Sequence, residues 1–153
     1  MRTLQLRPKQ CGTATVEFAV TLPVLLLLML SAVDVGRMLS QYNVLTNAVR
    51  NACRFAASNA AVGSTGVISM TPQLQIATAN LVATGTVSGS GTAVLPGLST
   101  SNVSVTDAGS GYVSVSASYP YRPLIAAHLP TFGLAPPISL AVTLRAQTIM
   151  RTL

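Results

Sequence analysis

The sequence predicts an α+β fold. One long N-terminal helix, half membrane span and half exported and amphipathic, is packed by a small antiparallel sheet with one short extra helix. Three patterns predict it. The sixteen residues from Phe18 to Val33 carry no charge. Apolar residues then recur at three- and four-residue steps from Val35 to Ala56, and the last third of the chain alternates apolar and polar residues with period two.

With Ala14, Val16 and Val35 on its flanks, the uncharged run reaches the ~20 residues that a helix needs to cross ~30 Å of hydrocarbon. Arg2, Arg7 and Lys9 precede it without an offsetting acid, whereas Asp34 precedes Arg37 on the far side. Positive charge favours the cytoplasmic side. Residues 1–12 are therefore expected as a basic cytoplasmic leader, 13–35 as the transmembrane helix, 36–57 as its exported continuation and 58–153 as an exported α+β domain. A secretory signal fits less well. The run exceeds the ~7–15 residues of an h-region, and Met29 and Leu30 stand where a cleavage site needs small side chains. Cys11 precedes the run, which also departs from a lipoprotein signal.

Two residues inside the run are unusual. Glu17 puts a carboxylate about one turn inside the hydrocarbon edge, where a charge is costly and acids are functional by default. The simpler role is a helix-dipole contribution of roughly 0.3–1 kcal/mol. Pro23 has no N–H to give the Ala19 carbonyl and is expected to kink the helix. At the exit, Asp34 and Arg37 are three residues apart, within reach of pairing.

Beyond the span, Val35, Met38, Leu39, Tyr42, Leu45, Val49, Ala52, Cys53 and Ala56 form one apolar stripe that needs a covering surface. Ser58–Gly66 and Thr84–Ser101 carry the turn residues of loops. Between them Thr71 fits an N-cap and Pro72 the first helical position, with Leu74, Ala77, Leu81 and Val82 on one face. Three strands follow. Val103 and Val105 lie on the first, and Val113, Val115, Ala117, Tyr119 and Tyr121 on the second. Ile138, Leu140, Val142, Leu144, Ala146, Thr148 and Met150 lie on the third. Asp107–Gly111 is the expected hairpin connection. The link Pro123–Pro137 holds four prolines and the apolar residues Leu124, Ile125, Leu129 and Leu134.

Composition narrows function. Nine Lys+Arg face three Asp+Glu in 153 residues, and only 8% of residues are charged. Without residues 1–12 the balance is 9 − 3 = 6 bases against three acids, or +3. Arg37, Arg50, Arg54, Arg122, Arg145 and Arg151 are scattered and there is no Trp, which argues against nucleic-acid binding. Three acids, one histidine and Cys53 make no catalytic constellation. No enzyme activity, small-molecule substrate, metal or other cofactor is expected. His128 has no second ligand at metal spacing. Cys53, the one thiol after the leader, sits among Ala52, Phe55 and Ala56 as a small buried hydrophobe would.

Gly12, then four residues, then Glu17-Phe18 at the mouth of an apolar run resembles the processing motif of prepilin-like proteins. The longer set resembles the TadE-like family, pseudopilins of the tight-adherence (Flp-type) pilus assembly system. It comprises Ala14–Leu27, then Val33-Asp-Val-Gly-Arg37, then Leu45–Ala57. The likeness returns at Tyr112–Leu124, with its Tyr-Pro-Tyr-x-Pro turn, and at Ile138–Arg151. It implies a pilin-like fold and a minor pseudopilin cut by a prepilin peptidase between Gly12 and Thr13. Glu17 and Phe18 then serve assembly, the Glu17 carboxylate meeting a freed terminal amine. Implied partners are the peptidase, other pilus and pseudopilin subunits, the inner-membrane assembly platform and membrane lipid. The implied location is the bacterial inner membrane, single-pass, with a periplasmic C-terminal domain and a possible place in an extracellular pilus. The alternative is an uncleaved single-pass accessory protein whose periplasmic domain binds partners of a secretion or pilus machine.

Overall fold

The computed structural model describes residues 11–60, 68–123, 128–129, 138–139 and 141–152. Helix α1 spans Cys11–Ala60, beginning before Thr13 and ending three residues beyond Ala57. The chain divides into two compact units, Met1–Gly36 and Arg37–Leu153, and α1 contributes to both.

In Met1–Gly36 the described residues are helix alone. Twelve large apolar side chains from Val16 to Val35 are exposed, and they stand on every side of the helix. A surface helix of a soluble domain keeps a polar face; this one has none. It is long and apolar enough to cross a membrane. Its hydroxyls are compatible with hydrocarbon, because they bond to the helix itself. Thr21 Oγ1 donates to the Glu17 carbonyl at 3.0 Å and lies 3.2 Å from that of Phe18, and Ser31 Oγ donates to the Leu27 carbonyl at 2.7 Å. The helix continues through Pro23.

In Arg37–Leu153, Leu45, Val49, Ala52, Cys53, Ala56 and Ala60 are wholly buried on one face of α1. Short side chains in most of these positions let a sheet lie close. The elements that follow are α2 (Pro72–Thr84), β1 (Val103–Gly109), β2 (Tyr112–Pro120), β3 (His128–Leu129), β4 (Ile138–Ser139) and β5 (Thr143–Arg151). Antiparallel β1, β2 and β5 form one sheet in the order β1-β2-β5. Val113, Val115, Ala117, Tyr119 and Tyr121 alternate inward and join Leu144, Ala146 and the α1 face in one core. The Ser110-Gly111 turn closes the first hairpin, both residues at positive φ (53° and 84°), as a two-residue turn matched to strand twist requires.

The stripe expected from Val35 onward is covered over only part of its length. Val35, Leu39 and Tyr42 are 50%, 55% and 41% exposed, while Met38 reaches the core margin. A nine-residue strand spans only ~30 Å. Leu39 also stands about a quarter-turn from Met38 around the helix.

α2 begins as expected. Thr71 Oγ1 accepts from the Leu74 N–H at 3.3 Å and Pro72 opens the helix, which Gly85 ends at φ 74°. Its inward row is Leu74, Thr78 and Val82 with Ala83: of the expected face, Leu74 and Val82 are buried, whereas Ala77 and Leu81 are half-buried. Thr78 can be buried because its hydroxyl donates to the Leu74 carbonyl at 2.6 Å. After α2, Leu95 and Leu98 enter the core, and Tyr119 Oη donates to the Pro96 carbonyl at 3.0 Å.

The third expected strand is divided. Ile138–Ser139 pairs with His128–Leu129 in a separate small ladder, and β5 starts at Thr143 opposite Pro120. Pro120 and Pro123 have no N–H, so the β2 side cannot extend the ladder as a full strand. One further bond, from the Tyr121 N–H to the Val142 carbonyl, ends it at 2.8 Å. Leu124, Ile125 and Leu134 of the proline-rich link lie outside the described residues.

Candidate functional site on the N-terminal helix

Gly12, Thr13, Val16, Glu17, Val20 and Thr21 form one open, shallow face of α1. Helical spacing sets Gly12, Val16 and Val20 in one row and Thr13, Glu17 and Thr21 in the next. Gly12, Thr13 and the Glu17 carboxylate therefore share a face. Phe18, 60% exposed, points to the other side of the helix, and Pro23 lies about two turns beyond Glu17.

A Cβ built on Gly12 meets nothing within 4 Å. Nothing inside the described chain therefore requires glycine there, and Gly12 is not among the glycines at positive φ. If glycine is required, the requirement comes from outside the chain. The first turn of α1 contains no acid. Glu17 lies in the second turn while residues 11 and 12 are present, which weakens a dipole role. Removal of everything through Gly12 would make Glu17 the fifth residue.

Asp34 is a residue whose position in the fold the sequence reading missed. Expected as a flanking charge at the membrane exit, it is only 7% exposed. The signal was available: Asp34, Met38, Gln41 and Leu45 step at four, three and four residues along one row. Gln41 Oε1 on that row is buried without a hydrogen-bond partner among the described residues.

Cys53 is buried as expected, with its sulfur between two strands. Burial pushes its thiol pKa up, only partly opposed by backbone hydrogen bonds from the Val115 and Met150 side of the sheet. Among the described residues no three His, Cys, Asp or Glu side chains gather where a metal ion could be held.

No curated protein and no solved structure matches the chain. A family model does, from Gly12 through the exposed apolar helix to Arg54. The C-terminal likeness at Tyr112–Leu124 and Ile138–Arg151 falls outside that match. The matching model is that of the TadE-like proteins, and residues 12–54 of the chain are similar to that family.

Proposed function

We propose that this chain is a minor pseudopilin of a Flp-type pilus, cut by a prepilin peptidase between Gly12 and Thr13 on the cytoplasmic side. The observation that carries the reading is Gly12 itself. It opens the family match, it has no packing role within the described chain, and it shares a helical face with Glu17. The chain then joins other pilus subunits and the inner-membrane assembly platform, with residues beyond about Gly36 in the periplasm.

One observation favours the uncleaved accessory protein as a second reading. α1 begins at Cys11, so the Gly12–Thr13 bond lies within helix, whereas a protease needs an extended strand.

Intact mass of protein extracted from membranes separates the two. The expected mass lacks Met1–Gly12, and Gly12→Leu retains the leader because its side chain crowds the peptidase subsite. Native protein that keeps Met1–Gly12 beside an active peptidase sinks the pseudopilin reading and leaves the accessory one.

A further inference from the structure

α1 and the end of β5 border an open groove of about 520 Å³, lined chiefly by Asn51, Arg54, Phe55, Ser58, Met150 and Arg151. Arg54 and Arg151 are exposed, whereas Phe55 and Met150 are partly buried against the core. Among the described residues no acid lines the groove.

The groove lies beside a free strand edge. Among the described residues β5 has β2 on one side and no neighbour on the other. The other edge strand, β1, breaks register between Asp107 and Gly109, an irregularity that blunts an edge. β5 runs in unbroken register from Thr143 to Arg151. Its outer backbone groups are a ready template for another strand.

Charge selects the occupant. Residues 37–153 hold six arginines, no lysine and one acid, Asp107, so their side chains sum to 6 − 1 = +5. A second copy paired through β5 brings four arginines and no acid to the seam, which like-charge repulsion disfavours. A segment with a carboxylate meets two guanidinium groups suited to it.

We propose that an extended acidic segment of a partner protein adds to the β5 edge and sets a carboxylate between Arg54 and Arg151. This deepens the pilus-assembly reading and rests on it only for the compartment where partner and groove meet.

The test uses the full chain in lipid nanodiscs and fluorescent peptides of alternating valine and threonine with a central glutamate, glutamine or lysine. The glutamate peptide is expected to bind at least tenfold tighter than the others at low salt, with the difference shrinking as salt screens it. Arg54→Gln and Arg151→Gln each reduce its binding to the glutamine level. Arg122→Gln, an exposed arginine outside the groove, leaves it unchanged. Binding also slows hydrogen exchange of β5 amides but not of α2 amides. Equal binding of the three peptides, unaltered binding in both groove variants, loss of binding in Arg122→Gln, or no slowing in β5 overturns the proposal. Leader removal, read by mass on the same variants, is independent: a chain that keeps its leader yet binds the glutamate peptide upholds the groove alone.

Discussion

The sulfur of Cys53 lies 3.4 Å from the carbonyl oxygen of Thr148. It is also 3.6 Å from the carbonyl of Val113, so one thiol proton on α1 is shared between β2 and β5. The thiol is fully buried, and it acts as a small spacer where helix and sheet pack together.

Two outcomes follow for this thiol. In the folded chain it should resist a maleimide and react only after denaturation. Cys53→Ala should cost about 1–2 kcal/mol, from a small cavity and a lost weak hydrogen bond. The pH dependence has a definite sign, because burial raises the folded pKa above its ordinary value of 9.0. Below that value both folded and unfolded thiols keep their protons and the contribution is level. Above it the unfolded thiol ionises first, so stability falls until the folded thiol ionises too. Denaturant titrations of wild type and Cys53→Ala from neutral to alkaline pH should show this extra fall in wild type alone. Parallel curves would mean that the thiol is not desolvated.

Much of this architecture is legible in the residues because it is local. Val113 through Tyr121 announce a one-sided strand by period two, and Thr71-Pro72 announce a helix start by capping chemistry. What misleads is chemistry satisfied out of view. Thr78 reads as polar, yet its hydroxyl is used up on Leu74, and the buried row shifts to include it. Ile138–Met150 reads as one strand, yet a partner strand ending in prolines cannot pair with all of it. Gly12 and Glu17 are legible as a candidate site because they stand only five positions apart. The Arg54–Arg151 groove is not, since it exists only once β5 folds back beside α1.

Topology can be tested at Ser90, an exposed residue in the turn region after α2 whose hydroxyl lies 2.6 Å from that of Ser88. Ser90→Cys should leave the core intact and react with a membrane-impermeant thiol reagent in intact spheroplasts. Buried Cys53 supplies little background, and Cys11 precedes the span. Labelling that appears only after lysis would reverse the orientation argued from Arg2, Arg7 and Lys9.

Glu17 gives the sharpest separation between processing and assembly. Among the described residues its side chain is exposed on α1, so neither Glu17→Ala nor Glu17→Gln should disturb folding. Insertion should persist or improve, because a charge inside the hydrocarbon edge has been removed. Leader removal should also persist, since Gly12 and Thr13 are unchanged. Association should fail. A terminal amine left without its carboxylate in hydrocarbon costs several kcal/mol, enough to lower partner recovery at least tenfold. Glu17→Gln matters most, because it keeps the size and hydrogen-bonding capacity of the side chain and removes only the charge. Co-purification of pilus components with each variant measures the effect. If Glu17→Gln recovers partners as wild type does, charge pairing with the amine is not what holds the subunits together, and Glu17 has no assembly role beyond its shape.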